Sequence, residues 1–268
     1  DPVYHSITRP SLTESEATHR AIVLAELAGA HWYAVHMSAR EAVDESAAAR
    51  DRGLPVFAET CPQYLFLSLE EHLDQEGFEG AKYVCSTPIR PRADGHQDAL
   101  WNGLATNDLQ VVSTDHCPFC MGDHPVYGMQ KQLGLGDFTK IPNGLPGVED
   151  RYQLIYHGGV VEGRIDINRW VEVCATAPAK LFGMYPKKGT IAPGSDADIV
   201  VFDPGAEWMK SVTQHHMDVD YSAYEGMHVK GKVDTVLLRG KVIIDNDEYL
   251  GEAGDGEYLP RGRVTVDH

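Results

Sequence analysis

The stretch WYAVHMSAREAVDESAAARDRGLPVFAE, residues 32–59, contains the pattern that decides the fold. A short β-prone segment, Trp32–Met37, precedes Ala42–Arg52, where small apolar and charged residues alternate at helical spacing. Gly53 supplies the left-handed residue with which many helices end. A second β-prone segment, Pro55–Glu59, follows. The stretch is therefore predicted to form a strand–helix–strand unit, which is typical of a parallel sheet.

Two helix starts are indicated by the spacing of hydroxyl and carboxylate side chains. Thr13 with Glu16, and Ser38 with Glu41, each have the pattern of a capping box, in which the hydroxyl accepts from a backbone amide and the carboxylate reaches back. The first box predicts a helix that begins near Thr13 and ends at Gly29. The second box predicts the start of the helix within the strand–helix–strand unit.

The same alternation continues towards the C-terminus. Asp94–Asn107 has apolar residues on one helical face, and the β-prone segment Leu109–Ser113 follows it. Alternating strands and helices predict an α/β fold in which helices cover a parallel sheet.

After about Gly189 the pattern changes to short strands separated by turn residues. Ile199–Phe202 is one strand, and Thr235–Leu238 and Lys241–Ile244 form a predicted hairpin joined through Arg239-Gly240. We therefore predict a boundary near Tyr185-Pro186 between an α/β part and a smaller all-β part.

The two predicted parts are residues 1–185 and residues 186–268. The first contains three clear strand signals, whereas an eight-stranded β/α barrel needs roughly 250 residues. Residues 1–185 are thus either a compact open sheet or the latter half of a barrel whose earlier strands lie elsewhere.

Composition limits the classes of partner. The chain has 268 residues, 43% of them hydrophobic, and a formal net charge of −17, which repels nucleic acid and anionic membranes. It has no apolar run of membrane-spanning length and no signal-peptide pattern, and it does not begin with Met, so the natural chain is expected to start further upstream. The odd number of cysteines favours a reducing cytoplasm: Cys61, Cys85, Cys117, Cys120 and Cys174.

His36 and Asp115 are the candidate metal ligands. Each follows a predicted parallel strand, at the end where α/β barrels collect their catalytic groups. Zinc accepts imidazole nitrogen and carboxylate oxygen, and ligands from different strands can converge on it. Taken alone, His36 is better explained as a hydrogen-bonded histidine at a strand end, and Asp115 is equally well explained as a cap of a turn or helix.

Several motifs together resemble the dihydropyrimidinase and D-hydantoinase family over almost the whole chain. The motifs are AVHMS at 34–38, ETCPQYL at 59–65, EGAKYV at 79–84, STDHCPF at 113–119 and GDFTKIPNG at 136–144. A further stretch, KGTIAPGSDAD at 188–198, resembles the return from barrel to sandwich in the wider amidohydrolase superfamily and indicates architecture rather than substrate. The resemblance implies the C-terminal part of a TIM-type (β/α)8 barrel, followed by the C-terminal strands of a small β-sandwich.

The resemblance also implies a site with two divalent ions, usually zinc, bridged by a carboxylated lysine. In that family the other ligands are a His-x-His pair, two further histidines and an aspartate. His36 matches the histidine of the sixth strand and Asp115 the aspartate of the eighth. The remaining four ligands, including the lysine, have no counterpart in this sequence.

The implied chemistry is hydrolysis of a cyclic amide, either a dihydropyrimidine or a 5-substituted hydantoin, to an N-carbamoyl amino acid. Metal coordination lowers the pKa of water enough to supply a bridging hydroxide at neutral pH. Asp115 would act as general acid and base. The backbone groups of Ser86 and Asn143 would bind the ring, although both residues are also ordinary choices for turns.

Further implications and alternatives follow from the same resemblance. The family forms homotetramers, with contacts expected from the segment after about Tyr249. A non-catalytic assembly protein of this family is an alternative function, and a hydrolase of allantoin or dihydroorotate is another. The alternatives are disfavoured by the retained ligands and by the IPNG sequence at 141–144, respectively.

Three other features are predicted not to form sites. One Cys117-x-x-Cys120 pair without a second half is a weak signal for zinc or redox chemistry. His215 and His216 are adjacent, so in a strand they would point to opposite faces. The loop from Cys120 to Gln132 is predicted to be a surface insertion.

Overall fold

The computed structural model describes residues 1–264, and three of its strands form a parallel sheet. These are β1 (Trp32–Ala34), β2 (Val56–Thr60) and β3 (Val111–Val112), in the order β1-β2-β3. Every residue of β2 is buried, as expected for a central parallel strand covered on both faces. The predicted strand–helix–strand unit and its parallel pairing are confirmed, with β1 shorter than the sequence pattern indicated and β2 displaced by one residue.

The α-helices lie before, between and after these strands. They are α1 (Tyr4–Ile7), α2 (Ser11–Ala28), α3 (Arg40–Asp51), α4 (Pro62–Phe66), α5 (His96–Thr106), α6 (Arg151–Ile155), α7 (Ile167–Val171) and α8 (Ala177–Leu181). Short 3₁₀ turns span Glu79–Tyr83, Lys131–Gly134, Phe138–Lys140 and Val212–Gln214, and π-helical turns span Leu69–Leu73, Tyr156–Val161 and Glu172–Thr176. The predicted helix at Asp94–Asn107 is thus α5, two residues shorter at its start.

Both predicted capping boxes are wrong. Helix α2 begins at Ser11, and the Thr13 hydroxyl donates back to the carbonyl oxygen of Pro10 at 2.7 Å. At the start of α3, the backbone amides of Ser38 and Ala39 donate to the carboxylate of Glu14 at 2.8 and 3.1 Å. A carboxylate from the neighbouring helix replaces the local cap, which a pattern within one segment could not indicate.

The predicted helix end at Gly29 is confirmed. Gly29 follows α2 with φ +61°, and its amide and that of Ala30 satisfy carbonyl groups of the last turn. Glycine adopts this left-handed conformation without a Cβ penalty.

An antiparallel sheet occupies the C-terminal part. Its strands are β4 (Ile199–Met209), β5 (His228–Leu238), β6 (Lys241–Asp245) and β7 (Glu248–Tyr249), in the order β4-β5-β6-β7. The predicted hairpin is confirmed as β5 and β6, joined by Arg239 and Gly240 in left-handed conformations. Strand β4 is longer than the predicted strand and is interrupted by irregular pairing between Asp203 and Glu207.

Packing divides the chain into two compact units. The first comprises residues 1–151 and 217–225, and the second comprises residues 152–216 and the chain from residue 226 onward. The predicted domain boundary near Tyr185-Pro186 is a different division and stays a prediction. None of the described helices is long and apolar enough to cross a membrane.

Residues 217–225 complete a hydrophobic cluster of the first unit. The cluster contains Leu73, Ala81, Val84, Cys120, Met121, Ile141, Val219 and Tyr221. The Tyr221 hydroxyl donates to the carbonyl oxygen of Lys82 at 3.0 Å, and the Asp220 carboxylate accepts from the amide of Met121 at 2.8 Å. The cluster therefore supports the chain around Val84 and Ile141, next to the predicted substrate-binding residues.

Candidate active site

His36 and Asp115 lie at the same edge of the parallel sheet. His36 follows β1 and Asp115 follows β3, and the strands of both run in the same direction. Both residues have left-handed backbone conformations, with φ +42° for His36 and +46° for Asp115. Residues other than glycine seldom adopt this conformation, although histidine and aspartate do so more often than most. Such backbone strain is concentrated at functional sites.

The electrostatics of the two side chains fit a site for a cation. His36 Nδ1 is buried and has no hydrogen-bond partner among the described residues. The pKa of Asp115 is raised, because desolvation and the nearby carboxylate of Glu59 outweigh the opposing effect of His36. A cation bound here would satisfy the imidazole nitrogen and would favour the charged form of Asp115.

Glu59 is a site residue that the sequence analysis did not single out. It lies on β2 between the two candidate ligands and is 8% exposed. Its carboxylate accepts from the Tyr33 hydroxyl at 2.6 Å and from Ser113 Oγ at 2.6 Å. Burial and Glu59 together raise the pKa of Tyr33, so the phenol stays a hydrogen-bond donor. The signal that could have identified Glu59 was a carboxylate within a strand that is fully buried.

Ser86 is exposed on a loop whose neighbouring carbonyl groups are held from several directions. The carbonyl oxygen of Cys85 accepts from His5 Nε2 at 2.8 Å, and that of Thr87 accepts from the Tyr64 hydroxyl at 3.2 Å. The Thr87 hydroxyl donates to the carbonyl oxygen of His36 at 3.3 Å. This loop, residues 84–88, is called the Ser86 loop below.

Asn143 is also exposed, on a loop that bonds to both the Ser86 loop and the Asp115 segment. The amide of Gly144 donates to the carbonyl oxygen of Val84 at 3.0 Å. The amide of Cys117 donates to the carbonyl oxygen of Leu145 at 3.0 Å. Residues 141–145 are called the Asn143 loop below.

Hydrogen bonds link the segments that carry the four predicted site residues. One series of hydrogen bonds runs from His36 to the Ser86 loop, from there to the Asn143 loop, and then to the segment that follows Asp115. The two candidate ligands and the two exposed loop residues thus belong to one connected region of the first unit.

The donor set fits a divalent ion only in part. One imidazole and one carboxylate are suitable ligands for zinc. Within residues 1–264, no group of three or more histidine, cysteine, aspartate or glutamate side chains is arranged to hold a metal ion. A complete metal site therefore requires donors besides those that this part of the chain brings together.

The prediction of a surface insertion from Cys120 to Gln132 is wrong at the ends of the loop. Its middle is exposed, but Cys120, Met121 and Lys131 are buried. Lys131 is fully buried and donates from Nζ to three backbone carbonyl groups. Nothing local marked this lysine, because its acceptors belong to other segments of the chain.

A family model confirms what the motifs indicated. The model of the amidohydrolase family matches residues 20–243, so the chain belongs to the amidohydrolase family. Among its relatives is the D-hydantoinase of Streptomyces coelicolor, which is 60% identical over 261 residues that make up 97% of this chain and 54% of that protein. The D-hydantoinase of Geobacillus stearothermophilus is 48% identical over 98% of this chain and 54% of its own length.

Solved structures agree with these relatives. The D-hydantoinase from a Bacillus sp. AR9 superposes with a TM-score of 0.94 at 50% identity, covering 100% of this chain and 56% of that one. The dihydropyrimidinase from Brevibacillus agri NCHU1002 gives a TM-score of 0.93 at 49% identity, with the same coverage. The chain spans about half the length of the curated relatives it matches.

Proposed function

We propose that this chain is the part of a cyclic-amide hydrolase that carries two metal ligands and the ring-binding loops. Its reaction would open dihydropyrimidines or 5-substituted hydantoins to N-carbamoyl amino acids. The observation that carries the proposal is the hydrogen-bonded connection of His36, the Ser86 loop, the Asn143 loop and the Asp115 segment. Similarity to proteins named D-hydantoinase favours a hydrolase over a non-catalytic assembly protein.

The proposed architecture is the C-terminal part of a (β/α)8 barrel, with the antiparallel strands belonging to a small β-sandwich. Two observations support it. The three parallel strands place their candidate ligands at the carboxyl edge, where barrels of this kind hold their active sites. The whole chain also superposes on about half of a D-hydantoinase.

His36 and Asp115 would hold divalent metal, with zinc as the proposed ion and a carboxylated lysine outside this chain as the proposed bridge. When bound, the metal would polarise the amide carbonyl group and lower the pKa of water. His36 would contribute a neutral imidazole nitrogen, consistent with its buried Nδ1, which has no hydrogen-bond partner within residues 1–264. Its left-handed backbone fixes the direction in which the imidazole leaves the strand.

Asp115 would move the proton. As a base, its carboxylate would take a proton from the attacking water, and as an acid it would deliver that proton to the leaving ring nitrogen. Asp115 follows β3 at the edge of the sheet where His36 also lies, and this placement supports the assignment. The nearby carboxylate of Glu59, which is itself buried, contributes to the raised pKa of Asp115 in the metal-free chain.

Ser86 and Asn143 would bind the substrate ring through backbone groups. A cyclic imide presents N–H donors and carbonyl acceptors in alternation, and backbone groups offer the complementary set. Both residues are exposed while their neighbours are buried or hydrogen-bonded, which leaves them accessible to a small ligand. The acidic chain surface supports neither nucleic acid nor membrane as a partner.

A homotetramer in the cytoplasm is the proposed state of the complete protein. The segment from about Tyr249 onward would contribute subunit contacts, and it exposes large apolar side chains at Tyr249, Leu250 and Tyr258. The last residues of that segment, 265–268, lie outside the described residues.

The test uses the complete polypeptide with Asp115→Asn, which keeps the size of the side chain and tolerates the left-handed backbone. The variant is expected to lose at least about a thousandfold in kcat for dihydrouracil and 5-phenylhydantoin, because it cannot exchange the proton. Asp123→Asn, in the exposed part of the nearby loop, is the matched control and should keep wild-type turnover. Retained activity in Asp115→Asn would contradict the proposed mechanism.

A further inference from the structure

Lys131 occupies an unusual position for a lysine. It begins a 3₁₀ turn, is 0% exposed, and lies below the two loops that carry Ser86 and Asn143. Its Nζ donates to the carbonyl oxygens of Val84, Pro142 and Gly144 at 3.0, 2.8 and 2.9 Å. Three donors of one ammonium group therefore meet three backbone acceptors.

The three acceptors are the carbonyl groups that define the course of both loops. Pro142 and Gly144 stand on either side of Asn143, and Val84 lies two residues before Ser86. The carbonyl oxygen of Val84 also accepts from the amide of Gly144 at 3.0 Å. Lys131 thus joins the two loops at the point where they already touch.

The lysine itself is held in place by contacts of its own segment. Its amide donates to the carbonyl oxygen of Cys120 at 3.0 Å, and its ammonium lies 5.7 Å from the centre of the Phe119 ring. Within residues 1–264, no carboxylate forms an ion pair with it, and the acceptors of its ammonium group are backbone carbonyl groups.

Burying the ammonium group of Lys131 costs desolvation free energy, which no carboxylate among the described residues offsets. Burial lowers the pKa of Lys131 to about 8, which reflects the desolvation of the ammonium group. A methionine of similar length would fill the same volume without that penalty, so packing alone does not explain a lysine here. What the ammonium adds is a fixed geometry for three carbonyl groups, since its donors converge on one nitrogen.

We propose that Lys131 is a positioning residue that sets the separation of the Ser86 loop and the Asn143 loop, and thereby the span of the ring that their backbone groups bind. This inference rests on the proposed function. Lys131 is covered by the loops and does not touch the substrate. His36 and Asp115 are placed by β1 and β3, so the chemical groups keep their positions when Lys131 is replaced.

The test compares Lys131→Met with Lys140→Met in the complete polypeptide. Lys140 is a matched control, because it lies in the same region, has a side chain 69% exposed, and pairs with Asp137 at 3.2 Å on the surface. In Lys131→Met, KM is expected to rise about tenfold or more while kcat stays within about threefold, the pattern of lost ground-state and transition-state binding alike. Lys140→Met should match wild type in both constants.

Hydrogen exchange supplies a readout that does not depend on turnover. Amides of the Ser86 loop and the Asn143 loop, Gly144 above all, should exchange at least about tenfold faster in Lys131→Met, while amides of β2 and α5 keep their wild-type rates. Should Lys131→Met fail to fold, Lys131→Arg serves instead. It keeps the charge but presents a planar fork that cannot meet three converging carbonyl groups, and the same directions are expected.

The outcomes separate the two proposals. A folded variant with unchanged KM overturns the positioning role, and so does faster exchange throughout the chain, which would show a general loss of stability. An inactive wild-type polypeptide would overturn the proposed function; the exchange of Gly144 then decides by itself whether Lys131 anchors the loops.

Discussion

Glu14 and Arg90 form a buried ion pair next to the segment that follows His36. Arg90 Nη2 lies 2.8 Å from Glu14 Oε2, and the two side chains are 4% and 11% exposed. Glu14 also accepts from the amides of Ser38 and Ala39, while Arg90 Nε donates to the hydroxyl of Ser38 at 3.0 Å. The pair therefore fixes both the start of α3 and the chain leaving the candidate metal ligand.

Glu14→Ala is expected to destabilise the protein by about 3 to 5 kcal/mol, because it leaves the positive charge of the buried Arg90 guanidinium without its carboxylate. Urea unfolding followed by circular dichroism measures the change. Glu16→Ala is the control, since Glu16 and Arg20 pair at 3.2 Å on the surface with both side chains about two-thirds exposed. An exposed pair of this kind contributes at most about 0.5 kcal/mol. Equal losses of unfolding free energy in the two variants would show that the buried pair contributes no more to stability than the exposed pair.

His5 makes the stability of the fold sensitive to acid. Burial lowers the pKa of His5 to about 4, although the carbonyl group of Cys85 opposes the shift. The unfolded chain takes up this proton below about pH 6.5, so the stability that His5 contributes is complete above that pH and is lost as the pH falls towards 4. The expected loss at pH 5 is about 2 kcal/mol.

His5→Gln removes this titration while keeping an N–H group for the carbonyl oxygen of Cys85. The difference in unfolding free energy between pH 7 and pH 5 should therefore be smaller in His5→Gln than in wild type. His19→Gln, at a histidine whose side chain is 63% exposed, should behave like wild type. If the difference in unfolding free energy between pH 7 and pH 5 is the same in His5→Gln as in wild type, the pKa of His5 is not lowered in the folded protein.

Gly144→Ala is expected to disturb the Asn143 loop. A Cβ atom at this position would lie 2.2 Å from the carbonyl oxygen of Cys117, and the backbone has φ +156°. The loop must move away from the Asp115 segment, at a loss of about 1 to 3 kcal/mol in stability and with a higher KM. Thermal unfolding and steady-state kinetics of the complete polypeptide measure both.

Gly147→Ala provides the comparison for that variant. The nearest atom to its added Cβ is Tyr224 Cε2 at 3.9 Å, which is ordinary van der Waals contact. Wild-type melting and KM are expected for Gly147→Ala. If Gly144→Ala behaves in the same way, the close approach of the Asn143 loop to Cys117 is not needed for function.

The 268 residues by themselves should neither retain two equivalents of zinc nor hydrolyse a cyclic amide. Only His36 and Asp115 match ligands of the implied site, and the described residues present no cluster of three donors. Metal analysis after dialysis, with turnover of dihydrouracil, checks this against the complete polypeptide. Measurable hydrolysis by the 268-residue chain would refute the view that the remaining ligands are essential.

The sheet and its candidate ligands could be predicted because their signals are local. Trp32–Met37 and Pro55–Glu59 are β-prone segments on either side of a helical pattern, and the structure pairs them in parallel. His36 and Asp115 could then be placed at one edge, since parallel strands end on the same side. The family resemblance around Ser86 and Asn143 allowed the two loops to be predicted as part of the candidate site.

The supporting contacts could not be predicted, because their partners are distant in sequence. The cap of α3 comes from Glu14, 24 and 25 residues before the amides that it binds. Lys131 meets carbonyl groups 47, 11 and 13 residues away. A lysine in a polar loop has the pattern of a surface residue, and only the folded chain brings three acceptors to one nitrogen.

The hydrogen bond from Tyr221 to Lys82 joins residues 139 positions apart, and it has a consequence for synthesis on the ribosome. The cluster beneath the two loops lacks Val219 and Tyr221 until residues 152–216 have been made and residues 217–225 have left the exit tunnel. Val84, Met121 and Ile141 stay uncovered on one side for that interval. A nascent chain stalled before Met217 is therefore a natural client for chaperones that bind exposed apolar surface.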